Sequence, residues 1–236
     1  MKLLSNLIPL IYILILTLTT CSERKEQNSV TTERPAKELT VAQKIANVYG
    51  TGSFDKVNSI KFTFNVQKGE KQVHRTWFWE PKTGLVKFLS YGKDKPFTYL
   101  RNQLSENPTD ELKNIDAKFI NDQYWLLFPL HLVMDENVSV KLEPGLHKLP
   151  IGEGQARLVT VEYSGNKGYT PNDRYELYID DNYKIVQWIY RRNNSPTPTR
   201  LTKWENYNKI GPLYLSLNRP GKDGSFRVWF TGVGVK

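Results

Sequence analysis

From Ile60 onward the apolar residues of this chain recur at every second position, and that period admits strands with one buried face and little else. In Ile60-Lys61-Phe62-Thr63-Phe64-Asn65-Val66 the apolar side chains all fall on one face, and Gly69 marks the turn that follows. Gln72 to Glu80 is the expected partner, with Val73, Trp77 and Trp79 sharing a face. Phe78 lies opposite them, so both sides of that strand carry aromatic mass. Further strands are expected around Gly84 to Leu89 and Lys95 to Leu100. Such short intervals favour an antiparallel meander, because parallel crossovers need longer connections.

The same period returns after Gln155. Strands are expected over Arg157 to Tyr163, Arg174 to Ile179, Lys184 to Arg191, Thr199 to Tyr207, Pro212 to Leu217 and Phe226 to Phe230. Tyr175, Leu177 and Ile179 alternate cleanly, Asp180-Asp181-Asn182 supplies a turn, and Val186, Trp188 and Tyr190 alternate on the return. The count is about ten strands.

Two segments break that rhythm. Val41, Ile45 and Val48 lie on one face of a helix over Leu39 to Tyr49, which Gly50 is placed to end. A second helix is expected to start with Asp116 as its cap, with Ile120, Tyr124, Leu127 and Phe128 recurring at helical spacing. Pro129 predicts a kink or stop there. The stretch from Tyr124 to Leu132 is too apolar for a solvent loop and is expected to plug a concave sheet. The fold class is therefore mainly β with a helical plug, a strongly curved antiparallel sheet or incomplete barrel.

Ahead of the domain, Leu7 to Leu18 is apolar but short for a bilayer-spanning helix, and Leu18-Thr19-Thr20-Cys21 closes it. This leader resembles the signal peptide and lipobox of bacterial lipoproteins, which implies a lipid-modified Cys21 as the first mature residue. The expected division is a signal peptide at 1–20, the lipidated cysteine and a polar, Pro35-containing tether at 21–37, and a single domain at 38–236. Ser22, immediately after the cysteine, favours the periplasmic face of the outer membrane.

Cleavage before Cys21 would leave 216 of the 236 residues, with no further cysteine to form disulfides. The formal charge is +9, or +8 once Lys2 leaves with the leader. Dispersed lysines and an exported destination argue against nucleic acid as a partner. They agree with a soluble surface or with attraction to anionic lipid or polysaccharide.

The chemistry of catalysis is sparsely represented. His74, His131 and His147 have no metal-ligand pair spacing, and His131 at the end of the plug reads as packed or hydrogen-bonded. Glu153 between Gly152 and Gly154 lacks phosphate-loop spacing. Asp180 and Asp181 lack the remaining ligands of a calcium loop. Asp122 and Glu176 form no acid/base pair that sequence alone can identify. No catalytic residue, metal or cofactor is assigned.

Phe119-Ile120-Asn121-Asp122-Gln123-Tyr124-Trp125-Leu126-Leu127-Phe128-Pro129 resembles the signature of an uncharacterised family of lipoproteins from Bacteroidota-type bacteria. Gly50 to Asp55, Trp77 to Pro81 and Trp204 to Tyr207 join it. More distantly, the arrangement is similar to the lipoprotein carriers and receptors of the bacterial envelope, whose incomplete barrel surrounds an apolar cavity for acyl chains. That likeness implies noncovalent binding or transfer of a hydrophobic ligand, an acyl chain or a lipoprotein. Strand residues Phe62, Phe64, Trp77, Trp79 and Leu177 would form the cavity wall, continued by Trp188, Leu213, Leu215 and Phe230. Tyr124, Trp125, Leu127 and Phe128 would shield it. Basic residues at the rim would assist an anionic head group. A structural or protein-interaction module, holding an envelope partner on its exposed sheet, stays open as the alternative, with an envelope hydrolase behind it.

Overall fold

The computed structural model describes residues 38–90, 95–104, 107–164 and 172–236. The expected signal peptide, Cys21 and tether lie outside the described residues. Helix α1 spans Val41–Val48 and is held at its start by a reciprocal cap. Thr40 Oγ1 accepts from the Gln43 amide at 3.2 Å, and Gln43 Oε1 accepts from the Thr40 amide at 2.9 Å. Ala42, Ile45 and Ala46 face inward. Gly50 follows with φ of 90°, and a Cβ there would come within 2.4 Å of the Pro212 carbonyl oxygen. Only glycine satisfies both demands.

Strands β1 (Ile60–Lys68) and β2 (Lys71–Glu80) form the expected hairpin, with Phe62 opposite Trp77. The outward face of Phe78 is covered by Lys87, whose Nζ sits 5.4 Å from the ring centre. Strands β3 (Leu85–Phe88) and β4 (Phe97–Leu100) extend the meander. Helix α2 (Asp110–Met134) comes next, then β5 (Val138–Lys148), β6 (Gln155–Tyr163), β7 (Arg174–Ile179) and β8 (Ile185–Arg191). Strands β9 (Arg200–Lys203), β10 (Glu205–Ile210), β11 (Leu213–Pro220) and β12 (Phe226–Val235) complete the domain.

These strands do not form one curled sheet. They divide into a seven-stranded antiparallel sheet, ordered β10-β11-β12-β1-β2-β3-β4, and a five-stranded one, ordered β5-β6-β7-β8-β9. Neither closes or curls strongly, so the incomplete barrel expected from the sequence is replaced by a mixed α/β fold with two open sheets. The division occurs inside the segment read as one strand, Thr199 to Tyr207. Residues up to Lys203 pair with β8, residues from Glu205 pair with β11, and Trp204 sits at the crossing. Asn206, the second residue of β10, has a left-handed φ of 52°. The Trp204 ring is buried at the crossing, edge-on to Trp188 at 5.3 Å.

Helix α2 is no plug inside a barrel but a core helix packed against both sheets. Phe119 meets Trp77 and Trp79 of β2 at 5.5 and 5.7 Å. Two turns later Phe128 meets Tyr175 of β7 at 4.5 Å and Trp188 of β8 at 5.2 Å. The helix also begins earlier than expected. Thr109 is its cap, its Oγ1 accepting from the Leu112 amide, and Asp110 and Glu111 complement the positive end of the helix dipole. Asp116 is instead buried within the helix, where Tyr99 Oη and Arg101 Nε donate to it at 2.8 and 3.0 Å. Nor does Pro129 stop the helix, which runs on to Met134.

Candidate functional site

Where α2 crosses from one sheet to the other, the packing leaves a groove with two arms. The larger holds about 790 Å³ and the smaller about 340 Å³. Asn121, Trp125, Tyr190 and Arg192 line both. These volumes fall in the range of small-molecule sites. Asn121 and Trp125 are one helical turn apart on α2, and that spacing sets them side by side at the junction. Trp125 is 9% exposed, wedged edge-on against Trp188 at 4.8 Å.

The larger arm has aromatic walls from Tyr124, Trp125, Tyr175, Trp188 and Tyr190, with a polar cluster at the end of α2. The His131 ring stacks on Tyr124 at 3.8 Å. Its Nδ1 lies 2.7 Å from Asp135 Oδ1 and its Nε2 lies 2.9 Å from Gln123 Oε1, so both ring nitrogens are engaged. Tyr124 and Tyr163 donate their hydroxyls to Asp135 Oδ2 at 2.5 and 3.0 Å. Burial pushes the Asp135 carboxyl up, but the bonds from His131, Tyr124 and Tyr163 outweigh it and hold it below the ordinary carboxylate range. The same arm contains Asp173, 2% exposed, which accepts from Tyr190 Oη and the Asn193 amide, each at 2.8 Å.

The smaller arm differs in charge. Its apolar surface comes from Phe64, Val66, Val73, Phe226 and Val228, and its cations are Lys68, Lys71, Arg75, Arg192 and Arg200. Among the described residues no carboxylate lines it. Arg75 is committed to the fully buried Asp122 through two 2.6 Å bonds, which Trp77 Nε1 supplements at 2.8 Å. Burial raises the pKa of that carboxyl against the pull of the guanidinium. Lys68 and Lys71 flank the β1–β2 turn, are exposed, and have no acidic partner among the described residues. Arg200 lies over the Phe226 ring, 4.8 Å from its centre, likewise without a carboxylate. An apolar channel with unpaired cations at its mouth can hold a hydrocarbon with an acidic head.

Of the residues expected to line a cavity, Trp125 reaches both arms, Tyr124 and Trp188 the larger, and Phe64 the smaller. Phe62, Trp77, Leu127 and Phe128 are instead consumed by the main core, off either wall. Leu177, Leu213, Leu215 and Phe230 lie in that core too. Trp79 is half-buried against Phe54 and Phe119. Asp122 and Glu176, considered as a pair, serve different arginines, Arg75 and Arg191. The site residues that sequence reasoning missed are Lys68, Lys71, Arg192 and Arg200 with Asp135 and Asp173. The lysines around Gly69 were the readable signal, since a turn between two apolar strands must place them at one end of the hairpin.

Neither the family models nor the curated proteins yield a match to this sequence. Among solved structures, the fold is similar to a LolA superfamily protein from Nitrosomonas europaea, at 8% identity and TM-score 0.47 over 83% of this chain and 92% of that one. It is similar to a DUF1329 family protein from Desulfovibrio piger, at 10% identity and TM-score 0.45 over 83% and 92%. A putative outer membrane lipoprotein-sorting protein domain from Vibrio parahaemolyticus gives 9% identity and TM-score 0.36 over 75% and 85%. Each likeness is a distant structural one, and the particular Bacteroidota-type family suggested by the sequence is not shown.

Proposed function

We propose that this protein is an envelope ligand-binding module, tethered through a lipidated Cys21, whose groove holds an amphiphile noncovalently by its acyl chain and acidic head. The observation that carries this reading is the smaller arm: an apolar lining with five basic residues and, among the described residues, no carboxylate. The acyl chain passes Trp125 into the aromatic arm, and the head stays among Lys68, Lys71 and Arg200. Eight buried methylenes contribute roughly 6 kcal/mol at about 0.8 each, against an association cost of roughly 4–15 kcal/mol. The chain alone therefore binds weakly, and the head-group contacts decide retention.

Trp125 and Trp188 report occupancy directly by their fluorescence. Titration with laurate below its micellar concentration is expected to saturate, whereas its uncharged methyl ester binds about tenfold more weakly, the worth of roughly 1.4 kcal/mol of charge attraction. Equal binding of acid and ester, or binding of neither, would contradict the reading.

A further inference from the structure

The two arms of the groove differ in their unpaired charge: the smaller carries cations alone, whereas the larger sets carboxylates beside the shared Arg192. In the smaller arm, once Arg75 is set against Asp122, the unpaired charges are those of Lys68, Lys71 and Arg200. In the larger arm, Arg101 is paired with Asp116, and Asp135 is held by hydrogen bonds with His131, Tyr124 and Tyr163. What remains there is Asp173 and Glu136, neither of which pairs with a basic side chain among the described residues. Arg192, exposed at the junction and shared by both arms, acts on Asp173 electrostatically without forming an ion pair with it. Asp173 is buried beside aromatic rings, with Tyr190 donating to it and Tyr175 stacked on Tyr190 at 5.1 Å. A carboxylate in an arm walled by the Tyr124, Trp125, Tyr175 and Trp188 rings offers an organic ammonium both a charge and ring faces nearby.

We propose that the groove selects a zwitterionic phospholipid, its phosphate among the cations of the smaller arm and its ammonium between Asp173 and Glu136 in the larger. The inference rests on the amphiphile reading above and adds the head-group class. A simple anionic lipid satisfies only one of the two charged arms. A zwitterion satisfies both, and the junction at Asn121 and Tyr190 is where its head would span them.

The test compares short-chain phosphatidylethanolamine with phosphatidylglycerol of the same acyl length, by calorimetry on the full chain. Both have one phosphate, and only the first has an ammonium. Phosphatidylethanolamine is expected to bind about tenfold tighter, as one desolvated cation contact would give. Asp173→Asn, which keeps the side-chain shape, and Glu136→Gln, which changes an exposed position, are each expected to bring the ratio toward one. Equal affinity for the two lipids in the unaltered protein overturns the zwitterion inference and leaves the amphiphile reading standing. Retention of the full preference in both variants overturns its placement in this arm. Binding of neither lipid overturns both readings together.

Discussion

Arg219 donates from Nη2 to the main-chain carbonyl of Trp125 at 3.0 Å, four residues before Pro129. That carbonyl is the one a proline at position 129 deprives of its helical donor, because proline has no amide hydrogen. The guanidinium therefore closes the gap from β11, and α2 continues for another turn and more. Arg219 is fully buried and pairs with no carboxylate among the described residues. Its other Nη donates to the Ser216 carbonyl at 2.8 Å, and its plane lies 3.6 Å from the centre of the Trp204 ring. Burial lowers its pKa to about 10, against the opposing influence of Tyr207 and Tyr49. One contact thus joins the interruption in the helix, the residue at the groove junction and the tryptophan where the chain changes sheets.

Removing Arg219 should accordingly cost more when proline occupies position 129. Arg219→Met leaves the Trp125 carbonyl buried and unpaired, a loss of about 2 kcal/mol. In the Pro129→Ala background the restored amide reaches that carbonyl, so the same substitution should cost about 1 kcal/mol less. Denaturant unfolding of the four variants in a double-mutant cycle measures the difference; strict additivity would show that the two residues are not coupled.

Trp125→Ala should lower both stability and retention. The side chain packs on Trp188 and Phe226 and lines both arms, so its loss is expected to cost about 3 kcal/mol and to merge the arms into one wider space. Trp79→Ala removes a half-buried ring away from the groove and should cost stability without affecting laurate binding. Thermal unfolding and laurate titration of the two variants separate the effects.

The protein should lose stability above pH 10 through its buried phenols. Burial raises the pKa of Tyr49, Tyr124, Tyr163 and Tyr207 above the ordinary value of 10.0, with neighbouring carboxylate or phenol groups adding to it for Tyr124, Tyr163 and Tyr207. An acid whose folded pKa is raised favours folding fully below the unfolded value. That contribution declines as pH rises through 10 toward the folded value, because the unfolded chain ionises first. Tyrosinate absorbance from these residues should appear together with the loss of near-ultraviolet circular dichroism. Ionisation of the whole tyrosine complement with the fold intact would contradict their burial.

The local elements were readable where one period ruled. Helix α1 follows from Val41, Ile45, Val48 and Gly50, and the β1–β2 hairpin from the alternation around Gly69. The sheet architecture was not, because alternation shows that a strand has a buried face without naming its neighbours. Nothing in Lys203-Trp204-Glu205 announces that the chain passes from one sheet to the other. Strand β5 went unread because it is an exposed edge strand: Leu142 and Leu146 are exposed, and Pro144-Gly145 sits within its register shift. Pro129 was read as a kink or stop, and the residue that lets the helix run on, Arg219, lies ninety positions away in the chain.

Sequence and structure nominate partly different linings for the candidate groove. Tyr124, Trp125 and Trp188 could be nominated as aromatic walls, but Phe62, Leu177 and Leu215 carry the same pattern and are spent on the core. Apolar periodicity does not distinguish a lining from a filling. The charges that differentiate the two arms come from a hairpin turn, the end of β8 and the start of β9, segments that only the tertiary fold brings together.

The amphiphile reading is tested most directly by native mass spectrometry of gently purified protein. The account predicts a noncovalent acyl-bearing adduct, released on collisional activation, that disappears from a folded Lys68→Glu, Lys71→Glu, Arg200→Glu variant. A bare protein, or an adduct retained equally by that variant, would contradict it.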